Sequence, residues 1–109
     1  MAEHGFGIME NPPEKGRRFD DYEPDKYSCI FTDDIYIEDI ITGFSHTDCC
    51  YHSTDIKGKG LNYCGITLIP PSSLLAFSDV IRDKNGLADL YSLTEAAIKE
   101  DKWIIHFGL

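Results

Sequence analysis

The chain has 109 residues, of which 42% are hydrophobic and 27% are charged, and its formal net charge is −9. This length and balance predict one globular domain, and they exclude a disordered chain and two independent hydrophobic cores. The excess negative charge disfavours direct binding to nucleic acid or to anionic membranes, because both carry phosphate groups that it repels.

No apolar run approaches the roughly 20 residues that a membrane-spanning helix requires. The first residues also lack the basic start and the apolar stretch of a signal peptide. We therefore expect a cytoplasmic protein. In such a reducing compartment the four cysteines are expected to be free thiols, and they are Cys29, Cys49, Cys50 and Cys64.

Residues 1–25 predict a loop-rich arm that can dock on a single domain formed by residues 26–109. Glycines and prolines recur among the charged residues of this arm, and both interrupt regular secondary structure. The segment GFGIM within the arm has the character of a short strand, which we expect at the edge of a sheet.

The next part of the chain predicts three strands. They are KYSCIF, IYIEDII and GFSHTDCCYH, and a turn at Asp33 and Asp34 separates the first two. The second segment is rich in β-branched and aromatic residues, which favours a strand. Its period is mixed, however, because Ile37, Ile40 and Ile41 would equally form the apolar stripe of a helix.

The clearest strand pattern lies in LNYCGITLI, where Cys64, Ile66 and Leu68 alternate and are expected to face the core. Two prolines end this strand. A helix that ends near Arg82 and a second helix over residues 87–101 follow, each with an apolar stripe. The segment KWIIHF predicts a closing C-terminal strand.

Together these elements predict an α+β fold. We expect a small mixed or antiparallel sheet of about four to five strands, covered on one face by the two C-terminal helices. The lone His106 in the closing strand, between Ile105 and Phe107, is expected to be a hydrogen-bonded structural residue.

The densest group of reactive side chains lies in residues 46–52, which belong to the third predicted strand. On a strand, His46, Asp48, Cys50 and His52 would share one face, and all four are metal-ligand types. Four ligands in a row on a straight strand cannot form a tetrahedron, so we expect a polar strand without metal or cofactor. A metal-dependent or thiol enzyme that uses this cluster and Cys64 is the alternative.

Residues 33–56 contain six acidic residues and no lysine or arginine. An acidic rim around tyrosines is typical of a surface that binds a basic protein, because charge steers the encounter and aromatic anchors add affinity. The predicted partner-binding residues are Asp33, Asp34, Tyr36, Glu38, Asp39, Asp48, Tyr51 and Asp55.

Charge and size therefore favour a protein-binding inhibitor over an enzyme. The most concrete version is a bacterial immunity protein that neutralises a basic toxin, such as a nuclease, by occupying its cationic active-site surface. The chain has no phosphate-binding loop, nucleotide fingerprint or nucleophile elbow. A small structural or regulatory adaptor is a second alternative.

Overall fold

Six strands form one sheet in the computed structural model, which describes residues 2–109. The strands are β1 (Glu3–Ile8), β2 (Ile30–Asp33), β3 (Asp48–Tyr51), β4 (Lys57–Lys59), β5 (Ile66–Ile69) and β6 (Ile104–Phe107). Their order across the sheet is β2-β1-β6-β5-β3-β4, and all neighbouring strands run antiparallel. The predicted α+β class is confirmed, with an antiparallel sheet that is slightly larger than expected.

Three α-helices pack against one face of this sheet. They are α1 (Asp34–Ile41), α2 (Leu74–Ile81) and α3 (Ala88–Glu100). The two predicted C-terminal helices are therefore confirmed, and so is the closing strand, which becomes β6. Across residues 2–109, none of the helices combines the length and the apolar character that crossing a membrane requires.

Residues 35–41 form most of α1, so the prediction of a second strand in this segment is wrong. The side chain of Asp33 accepts a hydrogen bond from the backbone N–H of Ile35 at 3.0 Å and thereby caps the helix. The predicted turn at this point is instead a helix start. Ile37 and Ile40 are buried in the core, and this packing selects the helical stripe over the strand alternation.

The strand β1 pairs with both β2 and β6, so the prediction of an edge strand near the N-terminus is wrong. Gly7 allows the segment that contains Tyr27 and Cys29 to pass close over β1. A Cβ atom at Gly7 would lie 2.7 Å from the carbonyl oxygen of Tyr27 and 2.9 Å from the Sγ atom of Cys29. Only glycine therefore permits this approach without displacement of the chain.

Two hydrophobic cores lie on the two faces of the sheet, where one core was expected, and they are not independent because they share this sheet. Phe6, Phe44 and Phe77 belong to the core under the helices. On the opposite face, Phe19 packs with Phe107 and other strand residues in a second core. Part of the N-terminal arm thus covers the face that the three α-helices leave open. The division of the chain at residue 25 stays a prediction, and Met1 lies outside the described residues.

The strand β5 begins at Ile66, whose side chain is buried, as is that of Leu68. Cys64 precedes the strand and is exposed, so the prediction that it faces the core is wrong. The backbone explains the difference, because the N–H of Gly65 donates to the carbonyl oxygen of Asn62 and closes a turn at this point. The alternation of residue types continues through this turn, but the strand does not.

Candidate functional site

Two fully buried histidines stand side by side on the helix-covered face of the sheet. His4 lies on β1 and His106 on the neighbouring strand β6. Nδ1 of His4 and Nε2 of His106 are 2.9 Å apart, and the two rings are stacked with their centroids 5.1 Å apart. A direct hydrogen bond therefore joins the two imidazoles.

Each histidine has a further partner on its other ring nitrogen. Nε2 of His4 is 2.9 Å from a carboxylate oxygen of Asp34, which also accepts a hydrogen bond from the hydroxyl of Tyr63. Nδ1 of His106 is 3.0 Å from the hydroxyl of Thr67. We call Asp34, His4, His106, Thr67 and Tyr63 the histidine relay.

The partners determine where the protons lie. The carboxylate of Asp34 only accepts, so Nε2 of His4 carries a proton and its Nδ1 accepts from Nε2–H of His106. The remaining nitrogen of His106 then accepts from the hydroxyl of Thr67, whose oxygen accepts from the N–H of Asn62 at 2.8 Å. With both imidazoles neutral, every polar group of the histidine relay is satisfied.

Burial also acts on the titration of these groups. It lowers the pKa of His106 to about 3, and the neighbouring His4 adds to this effect. The hydrogen bond from Tyr63, followed by that from His4, holds the pKa of Asp34 below its ordinary value. The same carboxylate raises the pKa of Tyr63 to about 12. Burial thus favours a neutral ring for His106, and the hydrogen bonds favour an ionised carboxylate for Asp34.

The histidine relay fixes the start of α1. Asp34 is the first residue of this helix, and its carboxylate is tied to β1 through His4 and to the loop before β5 through Tyr63. Both rings are fully buried, so they position the helix rather than meet a ligand. The expectation that His106 is hydrogen-bonded is confirmed. Its link to His4 was not predicted, because no local pattern connects residues 102 positions apart.

The outward face of α1 combines charge with an apolar side chain. Ile35 is 60% exposed, and Glu38 and Asp39 follow it at the spacing that places them beside it on the helix surface. Within residues 2–109, none of the lysines or arginines forms an ion pair with Asp33, Glu38 or Asp39. We call Asp33, Ile35, Glu38 and Asp39 the acidic α1 surface.

The remaining predicted acids do not join this surface. Asp48 lies on β3, which three strands separate from Asp33 on β2, or about 19 Å at the usual strand spacing. Its carboxylate forms an ion pair with Lys59, and this pairing lowers its pKa. Asp55 is exposed in the turn between β3 and β4 and lies near Gly16 of the arm.

Both predicted tyrosine anchors pack inward. A Cβ atom at Gly86, which has a φ of 75°, would lie 2.6 Å from ring atoms of Tyr36. The ring of Tyr51 covers Gly58 in the same way, and its hydroxyl donates to the carbonyl oxygen of Lys59 at 2.6 Å. Ile35 is the exposed apolar residue beside the acids. Sequence reasoning missed it because the segment was predicted as a strand.

The cluster of residues 46–52 is not assembled as a metal site. His46 is exposed, the side chain of Cys50 is buried in the second core, and His52 turns toward the carbonyl oxygen of Phe19. Among residues 2–109, histidine, cysteine and acidic side chains nowhere gather in groups of three that could hold a metal ion. All four cysteines are free thiols, and burial raises the pKa of Cys29 and Cys49 to about 12.

Comparisons of the chain with protein-family models, with curated proteins and with solved structures give no match. The functional argument therefore depends on the geometry and charge of the described residues.

Proposed function

We propose that this protein is a small acidic inhibitor that binds a basic protein partner through the acidic α1 surface. The observation that supports this proposal is the exposed side chain of Ile35 beside three carboxylates that have no ion-pair partner among residues 2–109. Unpaired carboxylates accelerate encounter with a cationic surface, and a central apolar side chain slows dissociation.

The histidine relay supports the same proposal. It ties the first residue of α1 to the sheet, so the helix is held in one orientation before a partner arrives. A preformed surface loses little conformational entropy on binding, which favours high affinity. A short helix of 8 residues needs such tertiary support, because isolated helices of this length are marginal in water.

The most concrete form of the proposal is a cytoplasmic bacterial immunity protein. A nuclease toxin uses a cationic cleft to hold phosphates, and a protein of net charge −9 complements such a cleft. In this form the inhibitor occupies the cleft and excludes nucleic acid, so no catalytic group of its own is required.

The test compares two variants of equal charge. One carries Asp33→Asn, Glu38→Gln and Asp39→Asn, and asparagine at position 33 keeps the helix cap. The matched control carries Glu14→Gln, Asp21→Asn and Asp25→Asn, whose side chains are exposed on the arm. The partner used is the product of a neighbouring gene if that product is a basic toxin, or otherwise a basic protein that crosslinks to the wild-type chain.

Association is then measured by stopped flow at two salt concentrations. We expect the α1 variant to associate at least about tenfold more slowly at low salt, with a weaker salt dependence, while the control stays within about twofold of wild type. Equal rates for the two variants would contradict binding through the acidic α1 surface. Toxin activity that wild-type protein leaves unchanged would contradict inhibition.

A further inference from the structure

A cavity of about 350 Å³ lies on the face of the sheet opposite α1. Its walls include the apolar side chains of Ile66 and Phe107, the ring of Tyr22, and three groups that carry chemistry. These three are Cys64, His52 and Asp20. A thiol, an imidazole and a carboxylate in one cavity are the types that nucleophilic catalysis requires.

The backbone and the partners of His52 hold its ring in a defined orientation. Its φ is 61°, a left-handed conformation that residues other than glycine seldom adopt and that is common at functional sites. Nδ1 lies 3.0 Å from the carbonyl oxygen of Phe19 and 3.2 Å from a carboxylate oxygen of Asp20. Both partners accept hydrogen bonds, so Nδ1 carries the proton, and the unprotonated Nε2 accepts a long hydrogen bond of 3.5 Å from the backbone N–H of Ile66.

The carboxylate of Asp20 is itself held in place. Arg18 donates to its two oxygens at 2.9 Å and 3.1 Å, and this hydrogen bonding lowers the pKa of Asp20. The carboxylate therefore stays ionised beside the imidazole of His52. In this arrangement Asp20 is a positioning residue, as the third group of a catalytic triad is.

The basic nitrogen of His52 lies close to the chain that carries the thiol. A Cβ atom on Gly65 would lie 2.8 Å from Nε2, so glycine at this position leaves room for the ring. Cys64 is the preceding residue, is exposed, and lines the same cavity. No hydrogen bond joins its thiol to Nε2 here, so the thiol must replace the long bond from Ile66. Catalytic hydrogen bonds often tighten only when substrate binds.

We propose that Cys64 is a nucleophile, with His52 as its general base, that transfers the acyl group of a small apolar ester to water. Nε2 of His52 takes the thiol proton while sulfur forms a bond to the carbonyl carbon. The carbon–oxygen bond of the ester then breaks, and the leaving alcohol receives that proton. Water next attacks the thioester with His52 as base, and the carboxylic acid leaves as the thiol is restored.

The walls of the cavity define the substrate class. Ile66 and Phe107 are buried residues of the second core that supply apolar contacts, and the volume suits an acyl group of a few carbon atoms or one aromatic ring. This reaction is independent of partner binding, because α1 lies on the other face of the sheet.

The test uses p-nitrophenyl acetate with the full-length protein. We expect a burst of about one equivalent of p-nitrophenolate, with an acetyl group located on Cys64 by peptide mass spectrometry. Cys64→Ser should abolish the burst. His52→Asn should slow acetylation by about 100-fold, since a general base contributes at least that much. Asparagine tolerates the left-handed φ, which keeps the backbone unstrained.

Controls separate catalysis from a reactive surface thiol. His46→Asn, at an exposed histidine outside the cavity, should leave the burst unchanged. Asp20→Asn should slow acetylation, and Asp20→Glu should restore part of the rate. Both variants should keep the solvent deuterium isotope effect that the wild type shows. The proposal is wrong if Cys64 is acetylated at the same rate in wild type and in a folded His52→Asn variant. It is also wrong if Cys64 of the wild type is acetylated no faster than Cys29.

Discussion

The imidazole nitrogens of His4 and His106 lie 2.9 Å apart, on neighbouring strands from opposite ends of the chain. This bond connects a carboxylate at the start of α1 with a hydroxyl on β5, through the middle of the sheet. The orientation of the acidic α1 surface therefore depends on residues that lie far from it in sequence.

His106→Ala should destabilise the fold by about 2–4 kcal/mol. The variant leaves Nδ1 of His4 buried without a partner, removes the acceptor of the Thr67 hydroxyl proton and also opens a cavity. Urea unfolding monitored by circular dichroism measures the loss. His46→Ala, at an exposed histidine, should change stability by less than about 0.5 kcal/mol. Similar losses in the two variants would contradict the structural role of the relay.

Stability should fall as the pH is lowered below about 6.5. The pKa of His106 drops from an ordinary 6.5 to about 3 on folding, so between these values the unfolded state binds a proton that the folded state excludes. Each pH unit in that window removes up to about 1.4 kcal/mol from this group. Urea unfolding at several pH values between 7.5 and 4.5 tests the slope, and His106→Gln should flatten it.

Tyr63→Phe should raise the pKa of Asp34. The tyrosine hydroxyl is the largest cause that holds this carboxyl below its ordinary pKa, and His4 is the second. Since the folded pKa is depressed, the stabilisation from Asp34 is present above its ordinary pKa and lost as the pH falls through the lowered value. A titration of side-chain carboxyl carbons by NMR locates the midpoint. An unchanged midpoint in the variant would show that the bond is not maintained in solution.

Gly7→Ala should displace the segment around Tyr27, which continues the arm, and cost about 1–3 kcal/mol, because the added methyl group would meet the carbonyl oxygen of Tyr27 at 2.7 Å. Limited proteolysis should then cut within residues 10–23 faster than in wild type. Ala76→Ser, an exposed position on α2, provides the control and should leave the cleavage rate unchanged. Equal cleavage rates in the two variants would mean that the backbone at Gly7 and Tyr27 is not in close contact.

Ile35→Ala should accelerate dissociation from the basic partner by about 30-fold, the equivalent of a 2 kcal/mol hot spot. The side chain is 60% exposed, so the free energy of unfolding should change by less than about 0.5 kcal/mol. Leu75→Ala is the matched control, since Leu75 is 66% exposed on α2. If the two variants dissociate at the same rate, Ile35 is not the anchor.

Part of the candidate sites was predictable from residue type alone. The acids of residues 33–39 were predicted from charge, and a thiol enzyme that uses Cys64 and the cluster of residues 46–52 was only the alternative. Asp20 and Ile35 were missed. The first contributes only through a contact with His52 across 32 positions of sequence, and the second is exposed only once residues 35–41 form a helix.

The sequence by itself determined the α+β class, the two C-terminal helices and the closing strand. These elements have a clear period and are bounded by proline and glycine, so local interactions are enough to select them. Only the tertiary structure decided that residues 35–41 form a helix, that β1 lies inside the sheet and that His4 meets His106. The isoleucines of residues 35–41 fit both the helical and the strand period. The burial of Ile37 and Ile40 in the core selects the helix. Strand pairing and buried hydrogen bonds join distant residues, and their free energy depends on contacts that no local pattern records.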